Sequence, residues 1–283
     1  MKRILLLLTG IFFLILSAVN INAQEQPPDQ EQERPLDGFY ERLYLEEKDA
    51  VELPYVREAD ILYQKRVWQR IDLREKINQT LYFPTQPTGN RKSLSQVLYD
   101  AVIDGEVTAY DGFVDDFSQP LTREQVIDHL EEEVTVERAD APDTTYTIDF
   151  DPADVTRIHI KEDWFFDSKR STLEVRIIGI CPLRERLDPE TGEFIGYEPL
   201  FWIYYPEARD VLVNQEVFNP RNDAARVSYD DMFLRRRFNS YIYKESTVSD
   251  RAIEDYKSGL DALLEAEEIE DEIRYFEHDV WEY

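Results

Sequence analysis

The runs Arg157-Ile-His-Ile-Lys161 and Leu173-Glu-Val-Arg-Ile-Ile-Gly-Ile-Cys-Pro182 decide the fold class. In the first, Ile158 and Ile160 alternate with Arg157, His159 and Lys161. In the second, Leu173, Val175 and Ile177 repeat the two-residue period, and the apolar run continues through Ile178, Ile180 and Cys181. Such alternation marks a strand that buries one face and wets the other. Asp188-Pro-Glu-Thr-Gly192 supplies turn chemistry after them. Leu200-Phe-Trp-Ile-Tyr-Tyr205 is apolar on both faces, which fits either a central strand or one side of an interface, and Pro206 ends it.

Helices are expected on either side of these strands. Upstream of a loop at Ala139-Asp-Ala-Pro-Asp143, Glu58 to Ile77 reads as a helix from the stripe Tyr63, Val67, Trp68 and Ile71. Leu94, Val97, Leu98, Ala101 and Val102 give a second, stopped near Gly105. Thr122 begins a third, with Gln125 completing a capping box and Val126, Ile127 and Leu130 on the apolar side. Downstream, Glu207 to Val213 and Asp230 to Arg235 read as short helices. Ser249 to Phe276 reads as a long one, carrying Ile253, Tyr256, Leu260, Leu263, Leu264, Ile269, Ile273 and Phe276. The sum is an α+β chain: N-terminal helices, then a mainly antiparallel sheet, then a long acidic C-terminal helix.

The N-terminus bears on the compartment. Lys2 and Arg3 precede an apolar run from Ile4 to Val19, and Ala23 stands before the polar stretch that opens at Gln24. This is signal-peptide chemistry, which assigns residues 1–23 to an export signal. The rival reading, an uncleaved anchor, has a core shorter than the ~20 residues a span prefers. No Cys lies near the cut, so a lipoprotein is not expected. Residues 24–55 form an arm, extended through Pro27, Pro28 and Pro35. Its Phe39, Tyr40, Leu43, Tyr44 and Leu45 make it a strap across its own domain or a segment that docks on a neighbour. Residues 56–283 are then one globular domain, ending in an acidic helix from about 250 to 283.

Composition narrows the function. The 283 residues carry a formal charge of −28, and removal of Lys2 and Arg3 leaves 30 basic residues against 60 acidic. A field of that sign repels nucleic acid and anionic membrane surfaces and suits partners that present basic surface. Seventeen Tyr, 15 Phe and 4 Trp supply ample apolar area for a core, which argues against disorder. Cys181 is the one cysteine, so no intrachain disulfide holds the fold. Set in an apolar strand, it reads as a buried inert thiol. Three scattered histidines do not make a zinc site; His129 and His159 read as ordinary side chains. Nine glycines form no phosphate loop and no dinucleotide fingerprint, and a Gly-x-Ser-x-Gly elbow is absent. Asp115-Asp116 and Asp230-Asp231 lack calcium-loop spacing. No catalytic residue, metal ligand or cofactor is expected.

Charge asymmetry is the better signal. Arg66, Arg70 and Arg74 recur every four residues, and Arg235, Arg236 and Arg237 are consecutive. Asp261 to Tyr283 holds ten acids and one base, Arg274. Unlike ends of this kind pair within one molecule or join copies head to tail. The six arginines are candidate protein-interface residues.

Asp60-Ile-Leu-Tyr-Gln-Lys-Arg-Val-Trp-Gln-Arg-Ile-Asp-Leu-Arg-Glu-Lys-Ile-Asn78 and Leu81-Tyr-Phe-Pro84 resemble the GldN/PorN family of gliding motility and type IX secretion proteins. So do Ala208-Arg-Asp-Val-Leu-Val-Asn-Gln-Glu-Val-Phe-Asn219, Asn222-Asp-Ala-Ala-Arg226 and Tyr229-Asp-Asp-Met-Phe-Leu-Arg-Arg-Arg-Phe-Asn-Ser-Tyr-Ile242. Ile178-Gly-Ile-Cys-Pro182 and Trp202-Ile-Tyr-Tyr-Pro206 add to the likeness, which spans most of residues 55 to 245. The resemblance implies a periplasmic structural subunit and no enzyme. It implies a ring built with a GldK/PorK-type outer-membrane lipoprotein, contact with the periplasmic part of a GldM/PorM-type motor, and self-association. The rivals from other classes are a periplasmic glycan-binding protein and a carbohydrate hydrolase using an Asp/Glu pair.

Overall fold

Ile160 lies opposite Gln69 on one neighbouring strand and opposite Ile180 on the other. The alternation read from the sequence is therefore the two faces of an antiparallel sheet. The computed structural model describes residues 48–88, 91–136, 144–148, 150–188, 191–222 and 226–281; for 132–136, 144–148 and 281 it describes the backbone alone. In chain order the elements are β1 (Ile61–Asp72), α1 (Gln79–Tyr82), α2 (Leu94–Asp104), β2 (Ala109–Asp111), α3 (Arg123–Leu130), β3 (Glu132–Val136) and β4 (Thr144–Ile148). There follow β5 (Val155–Asp167), β6 (Thr172–Leu187), β7 (Phe194–Pro199), β8 (Phe201–Tyr204), α4 (Tyr205–Val213), β9 (Glu216–Val217), β10 (Val227–Ser228), α5 (Tyr229–Leu234), β11 (Tyr241–Glu245) and α6 (Leu260–Trp281). The main sheet runs β11-β1-β5-β6-β8-β2, with β7 also paired to β6. Its pairings are antiparallel, so the expected α+β class and antiparallel sheet are borne out.

One face of the sheet is apolar and carries the helices. Ile71, Ile158, Ile160, Ile180, Phe201 and Ile203 pack with Leu98 and Val102 of α2, Val126 and Leu130 of α3, Leu212 of α4 and Phe233 of α5. Farther along the same face, Val67 and Trp164 meet Ala266, Ile269 and Ile273 of α6. Each fully buried aliphatic or aromatic side chain stabilises the fold by roughly 1.5–3 kcal/mol, so this face supplies the bulk of the stability. The helix ends follow their local chemistry. Ser93 accepts from Gln96 N at the start of α2, and Gly105 closes it at φ +77°. Thr122 and Gln125 form the expected reciprocal cap on α3.

Two expectations are corrected. Glu58 to Ile77 is not a helix: β1 occupies Ile61–Asp72, so the sheet begins before the helices. A spacing of four serves both periods, since residues four apart share a face of a strand as well as of a helix. Trp68 discriminates, because it points away from Val67 and Ile71 to the opposite face, against Cys181 and Trp202. The long C-terminal helix is present but starts at Leu260 rather than Ser249. A short 3-10 turn at Ile253–Asp255 and Gly259 at φ +60° interrupt the chain before it. Leu260, Leu263 and Leu264 consequently stand exposed, outside the packed stripe. The readings of residues 1–23, of most of the arm and of Ala139–Asp143 fall outside the described residues. From Lys48 the chain lies along the domain: Lys48 N donates to Asn214 Oδ1, and Arg209 and Arg176 donate to the Val51 and Pro54 carbonyls.

On the other face, the segment from Gly112 to Ser118 crosses the strands. Phe117, at φ 58°, stands over Gly179, where a Cβ would lie 2.6 Å from its ring. Gly179→Ala is expected to lower stability by about 1–3 kcal/mol in urea unfolding, through this clash. Pairing it with Phe117→Ala should recover part of the loss; an unchanged loss would place the strain elsewhere.

Candidate interaction surfaces

The second face of the sheet is a ladder of cross-strand pairs between β1 and β5. Arg66 lies opposite Asp163, Trp68 opposite Lys161, Arg70 opposite His159 and Asp72 opposite Arg157. Arg66 bonds Asp163 through two nitrogens at 2.6 and 2.8 Å. The Lys161 ammonium lies 5.6 Å from the Trp68 ring and bonds the Asp115 carbonyl. Arg70 Nε donates to His159 Nε2 at 3.1 Å, and its Nη1 to Glu254 at 2.7 Å. Arg157 stacks 3.8 Å from the centre of the Tyr197 ring and reaches Asp72. Two residues of one strand that are two or four apart share a face, which is why Arg66 and Arg70 stay together although the helix expected there is a strand.

Between this ladder and the crossing segment lies a groove of about 820 Å³. His159 and Tyr243, ring centres 4.2 Å apart, Arg157, Tyr197 and Phe113 line it. Phe113 and Phe194 stand exposed at its rim. Burial, with Arg70 and Arg157 close by, holds the His159 imidazole well below the usual histidine range. The three lining carboxylates are all held by cations: Asp115 by Lys161, Asp250 by Lys244 and Glu254 by Arg70. Asp115 also accepts from the Trp68 indole. Cys181 lies buried beneath the groove, and burial pushes its thiol upward, away from thiolate. Among the described residues no cluster of His, Cys, Asp and Glu is arranged to hold a metal. Both acidic pairs seen in the sequence face cations or donors. Asp230 binds Arg209 and Tyr205 in the core, and Asp231 binds Lys48.

The six arginines divide by direction. Arg66 and Arg70 lie in the ladder. Arg236, at φ 47°, turns inward to the fully buried Glu162 at 2.6 Å and to Gln69. Arg74 bonds Asp72 and Glu185 yet is more than half exposed, as is Arg235 beside Asp231. Arg237 is exposed with no ion pair among the described residues. The turn after β1 and the turn after α5 are clamped together. Asn78, fully buried, donates to the Asn239 carbonyl and accepts from its N–H, at 2.9 and 2.8 Å. Asn239 Nδ2 also donates to Glu75 at 2.7 Å, so the clamp joins the ends of two motifs far apart in sequence. None of the arginines in the ladder pairs with α6, whose described ion pairs are Glu265 with Lys257 and Glu270 with Arg274.

The GldN family profile, described as gliding motility associated protein GldN, matches residues 56–282. The chain belongs to the GldN family. It is thereby a component of the gliding motility and type IX secretion machinery. No curated protein matches the chain. The GldN match covers the whole sheet, both clamped turns and α6, so the family shares this body and not one motif of it. No helix among the described residues is long and apolar enough to cross a membrane.

Sequence reasoning missed the groove residues Phe113, Tyr197 and Tyr243, and it missed the Asn78–Asn239 clamp. The polar alternation of Arg157, His159 and Lys161 was the available signal; it marked the face but not what lies opposite. Replacing Arg236 with Ala leaves Glu162 buried without its cation and is expected to cost about 3–5 kcal/mol. Arg237→Ala should stay within about 0.5 kcal/mol, both measured by urea unfolding. Below about pH 6.5 the unfolded chain binds a proton at His159 that the folded chain, with its imidazole held well below the usual range, refuses. Stability should therefore fall as pH drops below that point, and His159→Gln should flatten the slope; a slope kept by the variant would assign it to other groups.

Proposed function

We propose that this chain is a periplasmic structural subunit that forms a ring with a GldK/PorK-type outer-membrane lipoprotein, and contacts the periplasmic part of a GldM/PorM-type motor. Residues 1–23 are its export signal, residues 24–55 an arm, and residues 56–283 the body that assembles. Its place is the inner side of the outer membrane, held there by the lipoprotein. It works by binding and not by catalysis. The observation that carries this reading is the GldN-family match over the entire described domain. The geometry supports it: charged groups at the sheet are neutralised in place, while Phe113 and Phe194 open aromatic surface around a groove. Aromatic anchors in a groove ringed by satisfied polar groups are what protein interfaces use. Arg74, Arg235 and Arg237 are the candidate interface arginines that reach solvent. Arg66, Arg70 and Arg236 act through the shape of the body.

Full-length chain co-expressed with the lipoprotein is expected to co-purify as a large assembly that electron microscopy resolves as rings. Separate elution of the two proteins would sink the proposal. Phe113→Asp with Phe194→Asp should cut recovery of the lipoprotein at least tenfold while leaving the thermal midpoint within a few degrees, since both side chains are exposed. The aromatic groove also supports a second reading, binding of cell-wall glycan by ring stacking. Retention of the wild-type chain on isolated sacculi, and loss of retention in the same double variant, would favour it.

A further inference from the structure

We infer that Arg157, His159 and Tyr243 form a carboxylate seat in the groove on the second face of the sheet, and that the lipoprotein segment entering it carries an acidic residue flanked by apolar ones. The inference rests on the lipoprotein contact proposed above and names the chemistry of that contact. All three side chains line the groove. Arg157 and His159 are two apart on β5 and so share a face, roughly 7 Å from each other. The Tyr243 ring lies stacked on His159. Each of the three keeps a hydrogen-bond donor that no described residue uses. Arg157 gives only its Nε to Asp72, at 3.4 Å, while Asp72 holds Arg74 more closely, at 2.7 and 2.9 Å. The two terminal nitrogens of Arg157 have no partner among the described residues. Arg70 Nε donates to His159 Nε2, so the neutral ring carries its proton on Nδ1, which has no partner among the described residues. The Tyr243 hydroxyl likewise has no hydrogen bond among them.

The acids that could quench these donors are committed elsewhere: Asp115, Asp250 and Glu254 each hold another cation. Donors are therefore in surplus, and the group that fits brings acceptors and one negative charge. Arg157 stacks against Tyr197, 3.8 Å from the ring centre, which holds its fork of terminal N–H groups in place. A planar carboxylate meets such a fork through both oxygens. One cation beside two neutral donors suits a singly charged carboxylate better than a doubly charged phosphate. Phe113 and Phe194, exposed at the rim, give apolar side chains next to the acid a place to pack. A peptide is favoured over a sugar chain because ring faces are scarce. His159 covers one face of Tyr243, Arg157 covers one of Tyr197, and Trp68 and Trp202 are buried. The negative charge of the whole molecule is screened beyond roughly 8 Å at physiological salt, so the local donors decide.

Arg157→Lys sets an amine at the seat, and a carbodiimide then reports what stands there. With the full-length variant bound to the lipoprotein, mass spectrometry is expected to find the peptide of position 157 joined to an Asp or Glu of the lipoprotein. The wild-type chain, with no amine at that position, gives no such link. Tyr243→Phe removes a hydroxyl without a partner, so the thermal midpoint should stay within about 2 °C. The Kd for the lipoprotein should rise about tenfold in that variant, the worth of one hydrogen bond to a charged group. Arg157→Gln should raise it by at least as much. Links from position 157 to Asp72 alone, or an affinity untouched by Tyr243→Phe, overturn this inference and leave the ring reading standing. A link to a muropeptide when isolated sacculi replace the lipoprotein, with none to the lipoprotein, overturns it in favour of the glycan reading. Separate elution of the wild-type chain and the lipoprotein overturns both.

Discussion

The facing of β1 against β5 is the constraint on which the rest of the molecule depends. Arg66 with Asp163 and Arg70 with His159 lie on one side of that pairing, Val67 and Ile71 on the other. Energetically the polar rungs are minor: a cross-strand pair contributes roughly 0.2–1 kcal/mol, and Arg66 is two-fifths exposed, which screens it further. The apolar side outweighs them several-fold. What the rungs supply is register. A slip of one residue would carry Arg66, Arg70 and Lys161 into the helix-covered core and put Val67 and Ile71 in water. Burial drives the sheet together; charge permits only one alignment of it.

This division of labour explains the fate of the charges. Wherever an arginine meets the sheet, a carboxylate or a ring is waiting: Asp163, Glu254, Glu162 and Tyr197 are all spoken for. The excess acid of the composition is displaced to α6, where five carboxylates share one groove with aromatic walls. A body with quiet internal electrostatics and an outward electrostatic imbalance is suited to assembly, since contact with a partner changes the surface and not the fold.

Much of the architecture was legible in the chain. The Ile158/Ile160 and Leu173/Val175/Ile177 alternation specified strands because a two-residue period has no helical counterpart. Gly105, Thr122 and Gln125 marked helix ends because caps are local chemistry. β1 was misread because Tyr63, Val67 and Ile71 recur at a spacing common to both structures, and its partner strand lies some ninety residues away. The start of α6 was misplaced because Gly259 breaks the chain through a backbone angle that no apolar pattern encodes. The arginines stood out in the chain as a group, but their directions were hidden. Three consecutive side chains diverge at Arg236, whose positive φ aims it inward while its neighbours reach solvent.

Cys181 stands at the centre of the sheet, fully buried between Trp68 and Trp202, with its thiol held protonated. The exterior therefore offers no thiol to an oxidising environment: the chain can cross one without disulfide adducts or accidental disulfide links to its neighbours. The same silence makes the natural protein a clean background for site-specific labels, because any cysteine introduced on the outside would be alone in its reactivity.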